Sequence, residues 1–308
     1  MGRCDVVPWR IPAIAGAGDG GVGGPARDGS PRGWEAPALR VLLVNDDGVY
    51  SRGIQALRAI LEERTDWEVY VVAPDRQRSA SGHAITLHKP LYLDPVDIPG
   101  ARSPVYAVNG TPADCTKLGL LAVLPGPCDL VISGINRGGN LGFDVLYSGT
   151  VSAAIEGVIM GVPAIAVSLA AWDDPDYGPA AAFTAHLAAM VAKKGLPRGV
   201  LLNVNVPPLP TTQMAGVALT VLSRRSYHDR FEKRVDPRGR PYYWLAGEPV
   251  EEPLSVETDV GAVRAGYVSI TPLQLQLTDR RTLAHLEGWM EELEAGLGGR
   301  TGTPAHRA

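Results

Sequence analysis

The stretch Leu39-Arg40-Val41-Leu42-Leu43-Val44-Asn45-Asp46-Asp47-Gly48 decides how the rest of the chain reads. An apolar run closed by a turn sequence is what a strand buried on both faces of a parallel sheet requires. The text that follows repeats the pattern. Ile54, Leu57, Ile60 and Leu61 recur at helical spacing, and Trp67 to Ala73 is a second apolar run ending at Pro74-Asp75. Asp129 to Ser133 and Ala164 to Ser168 read as two more strands. Between them, Thr111-Pro112 offers a cap residue with proline at the first helical position, and Val151 to Met160 supplies a further apolar helix. Strand, turn and helix in alternation predict an α/β fold: a Rossmann-like, mostly parallel sheet with helices on both faces.

Outward from this body the character of the chain changes. Residues 1–38 hold 9 Gly and 5 Pro and show no apolar period, so they read as a disordered N-terminal extension. The body is expected over 39–297, with 298–308 as a flexible tail. After about Val206 the alternation lapses. Gly216 to Leu222, Tyr242 to Leu245 and Tyr267 to Ile270 look like strands, with Asp236-Pro237-Arg238-Gly239 as a turn. A C-terminal antiparallel arm over about 227–277 is therefore expected, one that packs on its own body or is exchanged with a partner. Leu283, Leu286, Met290, Leu293 and Leu297 predict a closing amphipathic helix.

Composition excludes several function classes. At 308 residues, 45% apolar and 20% charged, the chain is of ordinary globular make-up, against disorder, collagen or coiled coil. With 29 Lys and Arg against 33 Asp and Glu, a net charge of −4 provides no global field for a nucleic acid polymer or anionic lipid, so any phosphate site is local. The longest uncharged apolar stretch, Gly157 to Trp172, is interrupted by Gly161 and Pro163, and predicts no membrane span. Arg3 and Arg10 precede Ile11 to Ala17, an apolar run too short, and broken by Pro12, for a signal peptide. Three cysteines, Cys4, Cys115 and Cys128, form neither a disulfide framework nor a C-x-x-C pair, which suits a reducing compartment.

Ligands in an open parallel sheet bind beyond the strands' C-terminal ends. Four polar stretches fall there: Asn45 to Gly48, Arg76 to Ser79, Ser133 to Asn136, and Ser148 to Thr150. Asp46 and Asp47 are adjacent carboxylates whose repulsion a divalent cation would offset. With Ser79 and Asn136 the donor set is all oxygen, which favours Mg²⁺ or Mn²⁺ over Zn²⁺. The same pair equally suits a plain turn and helix cap. Ser148-Gly149-Thr150 opens a helix, where unpaired N–H groups can hold a phosphate or where Thr150 simply caps. The glycines at 134, 138, 139 and 142 do not form G-x-G-x-x-G, so a dinucleotide fingerprint is not supported. His83 lacks an identified carboxylate partner and His88 stands beside the same loop, while Arg76 and Arg78 fit either phosphate binding or simple solvation.

Taken together, Val44 to Val49, Val72 to Ser79, Asn109-Gly110-Thr111-Pro112-Ala113-Asp114-Cys115, Ser133 to Asn136 and Tyr147 to Val151 resemble the SurE family of survival-protein nucleotidases. Gly266 to Leu273 extends the likeness, which runs from about Leu39 to about Leu277. The resemblance implies an α/β phosphatase that removes phosphate from nucleoside monophosphates by metal-activated water, with 3'-nucleotides and short polyphosphate as further substrates. It assigns the metal ion to Asp46, Asp47, Ser79 and Asn136, which by their donor set would be one Mg²⁺ or Mn²⁺; in the mechanism this suggests, Asp46 or Asp47 is the candidate to accept the water's proton. Asn109, Ser148, Gly149 and Thr150 would surround substrate and phosphate. A homodimer or homotetramer with exchanged arms, in the cytoplasm, is implied as well. Only the extension over 1–38 departs from the family pattern. Two other readings remain: a haloacid-dehalogenase-like phosphatase with an Asp nucleophile, whose D-x-D pattern is missing, and a nucleotide-binding module without turnover.

Overall fold

The computed structural model describes residues 39–63, 67–173, 175–224, 227–249 and 255–297. The extension expected over 1–38 and the tail over 298–308 lie outside them. The central strands are β1 (Leu39–Val44), β2 (Trp67–Pro74), β4 (Val105–Val108), β5 (Leu130–Arg137), β6 (Ala164–Leu169) and β7 (Val200–Val206). They run parallel in the order β4-β2-β1-β5-β6-β7. The short β3 (Leu93–Pro95) joins antiparallel at one edge.

Side-chain alternation along β1 explains why both faces are covered. Val41 and Leu43 enter one core, with Ile54, Leu57 and Leu61 of α1 (Arg52–Glu62) and Ala181, Ala185 and Ala188 of α4 (Gly178–Lys194). Leu42 and Val44 enter the other, with Cys115 of α2 (Pro112–Leu118) and Val151 and Ala154 of α3 (Gly149–Ile159). Each large aliphatic side chain so buried stabilises the fold by about 1.5–3 kcal/mol. Thr111 starts α2 with a reciprocal cap: its Oγ1 accepts from the Asp114 amide at 3.1 Å, and Asp114 Oδ2 accepts from the Thr111 amide at 2.9 Å.

From β1 the chain builds outward to β2 and β4 on one side, then returns to lay β5, β6 and β7 on the other. The order therefore reverses between β1 and β5, opening a crevice at their C-terminal ends. Asn45 to Gly48 and Asn136 stand there.

Three expectations change. Strand β5 does not stop at Ser133 but continues to Arg137, with three steps from Ser133 to Asn136 matching two on β6. Gly134, at φ +138°, permits this bulge, because a Cβ there would strike the Val167 carbonyl. The expected arm is also narrower. Strand β11 (Tyr267–Gln274) pairs antiparallel with β7, and β8 (Gly216–Leu219) runs parallel beside it, so both extend the main sheet to nine strands. The apolar face of β11 buries Val268 and Ile270 in the body's core. Only β9 (Tyr227–Val235) and β10 (Pro241–Pro249) form a separate antiparallel hairpin, turning at Asp236 to Gly239 as expected. Finally, the closing helix is broken at Gly288-Trp289 into α6 (Arg280–Glu287) and α7 (Met290–Gly296), neither of which buries a residue. A short helix with no partner for its apolar face gains little from continuing.

Candidate active site

The turn after β1 is built by Asn45, which is fully buried. Its Oδ1 accepts from the Gly48 amide at 3.2 Å, and its Nδ2 donates to Gly48 O at 2.9 Å and Ser51 Oγ at 2.7 Å. Gly48, at φ +98°, takes the left-handed conformation that closes the turn. Asp46 and Asp47 are thereby fixed at the crevice. The backbone carbonyl of Asp46 accepts from the Arg78 amide at 2.7 Å, and the Gly82 amide donates to Tyr147 O at 3.1 Å. Those two bonds hold the Ser79 loop between the β1 turn and the segment leading into α3.

Asp46 is only 4% exposed, and Thr150 Oγ1 donates to its Oδ1 at 2.5 Å. Gly149 fits beneath it because a Cβ at that position would lie 2.7 Å from Asp46 Cβ and 2.9 Å from its Oδ2. Burial pushes the Asp46 carboxyl up to about 6, against the hydrogen bond from Thr150, and the neighbouring Asp47 charge pushes the same way. Asp47 is also raised by burial, opposed by the Arg137 amide, which donates to its Oδ2 at 3.2 Å, and by the Arg137 charge.

Asp46, Ser79, Asn136 and Ser148 line a single cleft of about 530 Å³. Asn136 donates its side-chain amide to Gly138 O at 2.8 Å, which leaves its side-chain carbonyl oxygen free to accept; Ser79 Oγ accepts from Gln77 Nε2 at 2.9 Å. Of the two raised carboxylates, Asp46 shares the cleft wall with the Ser79 hydroxyl and the Asn136 amide, whereas adjacent Asp47 accepts from the Arg137 amide and does not line it; oxygen donors of this kind fit a hard divalent cation. Among the described residues no group of three or more His, Cys, Asp or Glu that could hold a metal ion is gathered.

The other expected residues divide. Ser148 caps α3, its Oγ accepting from the Val151 amide at 3.1 Å, so the cap is Ser148 and not Thr150. Thr150, fully buried, serves Asp46. Asn109 turns its Oδ1 to the Tyr92 amide at 2.9 Å and is not part of the cleft wall. Arg76 and Arg78 pair with Asp75 at 3.0 and 3.2 Å. His83 gains the carboxylate that the sequence did not reveal: its Nε2 lies 3.0 Å from Oε2 of buried Glu156, whose Oε1 is 2.8 Å from Lys117 Nζ.

The cleft also has a floor that sequence reading missed. Asn140 donates to Ser168 Oγ at 2.7 Å, and its carbonyl accepts from Asn203 and Asn205 at 2.9 and 3.0 Å. Its signal was the alternation of Asn203 and Asn205 with valine in an otherwise apolar strand. Asp259, fully buried at the start of α5 (Asp259–Arg264), accepts from the Gly142 amide at 2.7 Å and ties α5 to the cleft.

A family model described as survival protein SurE matches residues 41–229, across the crevice and every strand that feeds it. The chain belongs to the SurE family. A protein of Symbiobacterium thermophilum named 5'-nucleotidase SurE is 55% identical over 249 residues, spanning 81% of this chain and 97% of its own length. A second of that name, from Pelotomaculum thermopropionicum, is 53% identical over 250 residues, covering 81% of this chain and 94% of itself. In three dimensions the crystal structure of a SurE protein from Aquifex aeolicus superposes with a TM-score of 0.70 at 40% identity, covering 84% of this chain and 99% of that one.

Proposed function

We propose that this SurE-family chain is a 5'-nucleotidase, a phosphoric monoester hydrolase that takes nucleoside monophosphates and depends on one Mg²⁺ or Mn²⁺. The observation that carries the reading is the convergence of Asp46, Ser79 and Asn136 in one cleft, with the N-terminus of α3 against Asp46. The names of the relatives support the substrate class. Asp46, Asp47, Ser79 Oγ and Asn136 Oδ1 would hold the ion. When bound, such an ion supplies Lewis-acid polarisation of a phosphoryl oxygen and eases deprotonation of water. Ser148 and the first turn of α3 orient the phosphate and absorb its developing charge. Asp46 or Asp47 accepts the water's proton. Thr150 keeps Asp46 aimed. An Asp nucleophile is the weaker reading, since Asp46 is already engaged by Thr150 and family membership supports the metal route.

Activity on 3'-nucleotides and short polyphosphate, and a cytoplasmic setting, belong to the same proposal. No helix among the described residues is long and apolar enough to cross a membrane. Self-association is proposed through the β9–β10 hairpin. Its register sets Phe231 opposite Leu245 and Val235 opposite Pro241 on one face, where Phe231 is 69% and Leu245 65% exposed. A two-stranded ribbon with an apolar face needs another surface to cover it.

The test is phosphate release from adenosine monophosphate with and without chelator. Chelation should abolish it and Mn²⁺ or Mg²⁺ restore it. Asp46→Asn should lower turnover by about 10²–10³-fold, several kcal/mol of transition-state stabilisation, with its circular dichroism unchanged. Full turnover in exhaustively chelated protein would remove the ion from the reaction.

A further inference from the structure

Trp172 is an apolar side chain left 74% exposed on the wall of the same cleft as Asp46. It follows β6 by three residues, at the C-terminal end of the sheet where the crevice opens. Its indole is seated, not loose. A Cβ added to Gly138 would lie 2.8 Å from Trp172 Cη2 and 3.0 Å from both Cζ2 and Cζ3, so the six-membered ring rests on that glycine. Gly138 is in turn fixed, its amide donating to Leu169 O at 2.9 Å and its carbonyl accepting from Asn136 Nδ2 at 2.8 Å. The ring's support is therefore one hydrogen bond from a proposed metal ligand. Leu141, Val260 and Val263 add apolar wall to the same cleft, which Asp46, Ser79 and a second aromatic, Tyr147, also line. At about 530 Å³ it lies within the range of small-molecule sites. A cleft whose wall holds both the oxygen donors of the proposed cation site and exposed Trp172 suits a ligand that carries a phosphate and a flat ring.

We infer that Trp172 is the stacking platform for the nucleobase, and that it is what separates nucleoside monophosphates from sugar phosphates and polyphosphate in this cleft. The inference rests on the nucleotidase reading and names how that site selects its substrate. Phosphate and ribose alone have no π-face, so an aromatic platform gains affinity only from a base, and a purine offers it the larger face.

The experiment compares wild type, Trp172→Ala and Trp172→Phe as full chains on adenosine monophosphate, ribose 5-phosphate and tripolyphosphate. For Trp172→Ala the ratio of kcat/KM on adenosine monophosphate to that on ribose 5-phosphate should fall about tenfold, with the loss in KM, and Trp172→Phe should recover most of it. In parallel, adenosine without phosphate should quench the fluorescence of wild type and not of Trp172→Phe. An unchanged substrate ratio, or equal quenching in both proteins, would overturn the inference. Failure of the nucleotidase reading looks different: wild type would release no phosphate from any nucleoside monophosphate, and adenosine quenching would then decide the stacking role by itself.

Discussion

The crevice at the ends of β1 and β5 and the β9–β10 hairpin place their exceptional side chains in opposite ways. In the crevice, polar groups are buried and almost all partnered: Asn45, Thr150 and Asn205 are fully enclosed and each bonds a neighbour. In the hairpin, apolar groups are exposed: Phe231, Val235, Tyr243 and Leu245 lie open on strands that pair only with each other. Burying a polar group is tolerated only when its hydrogen bonds are replaced within the fold, and in the crevice the chain supplies most of those partners itself. Exposed apolar surface on a ribbon carries the converse message, and its complement is expected on another copy.

The sharpest way to break this contrast is at Gly149. Alanine there would place a methyl 2.7 Å from Asp46 Cβ, displacing the carboxylate that the crevice exists to hold. Phosphate release from adenosine monophosphate should drop by about 10²-fold, since a misplacement near 1 Å costs that much, while the far-ultraviolet spectrum persists. Wild-type turnover in Gly149→Ala would show that Asp46 has room to move.

A smaller effect is expected at Glu156. Burial would raise its carboxyl, but hydrogen bonds from His83 and Lys117 outweigh that and hold it below its ordinary value. A depressed folded value contributes stability that is present above the ordinary value of 4.5 and is lost as pH falls through the folded one. Glu156→Gln should therefore cost about 1–3 kcal/mol at pH 7, measured by urea unfolding, and the gap to wild type should close towards pH 3. A gap that stayed constant with pH would assign the loss to packing.

The smallest effect on the body, and the largest on assembly, is expected in the hairpin. Phe231→Asp combined with Leu245→Asp should shift the species seen by light scattering towards monomer. The melting temperature of the monomer should move by no more than about 2 °C, as for surface changes generally. A monomeric wild type at micromolar concentration would leave the hairpin's apolar face without the role given to it.

Much of the crevice was legible because buried strands leave an unmistakable trace: β1 and β2 are apolar runs, and the residues just after them are polar. The reach of β5 to Arg137 was not legible, since Gly134 reads as a terminator until its close approach to Val167 is seen. The same holds for β11. Its short apolar stretch looks alike in an arm or a main sheet, and only its register against β7 separates the two. Trp172 was hidden for another reason: a lone aromatic in a loop has no period, and its position over Gly138 depends on a contact across 34 residues.

By itself the sequence determined where β1 and β2 end and which polar residues follow them, because hydrophobic burial and turn chemistry act over a few neighbouring positions. It also placed Asp46, Asp47, Ser79 and Asn136 at such ends. Only the tertiary structure decided which ends meet. Thr150 reaches Asp46 across 104 positions, and Arg137 reaches Asp47 across 90. Those distances along the chain are closed by strand order, with β5 laid against β1 after the chain has passed through β2 and β4. Strand pairing is non-local, and nothing within the span of a turn or helix encodes it.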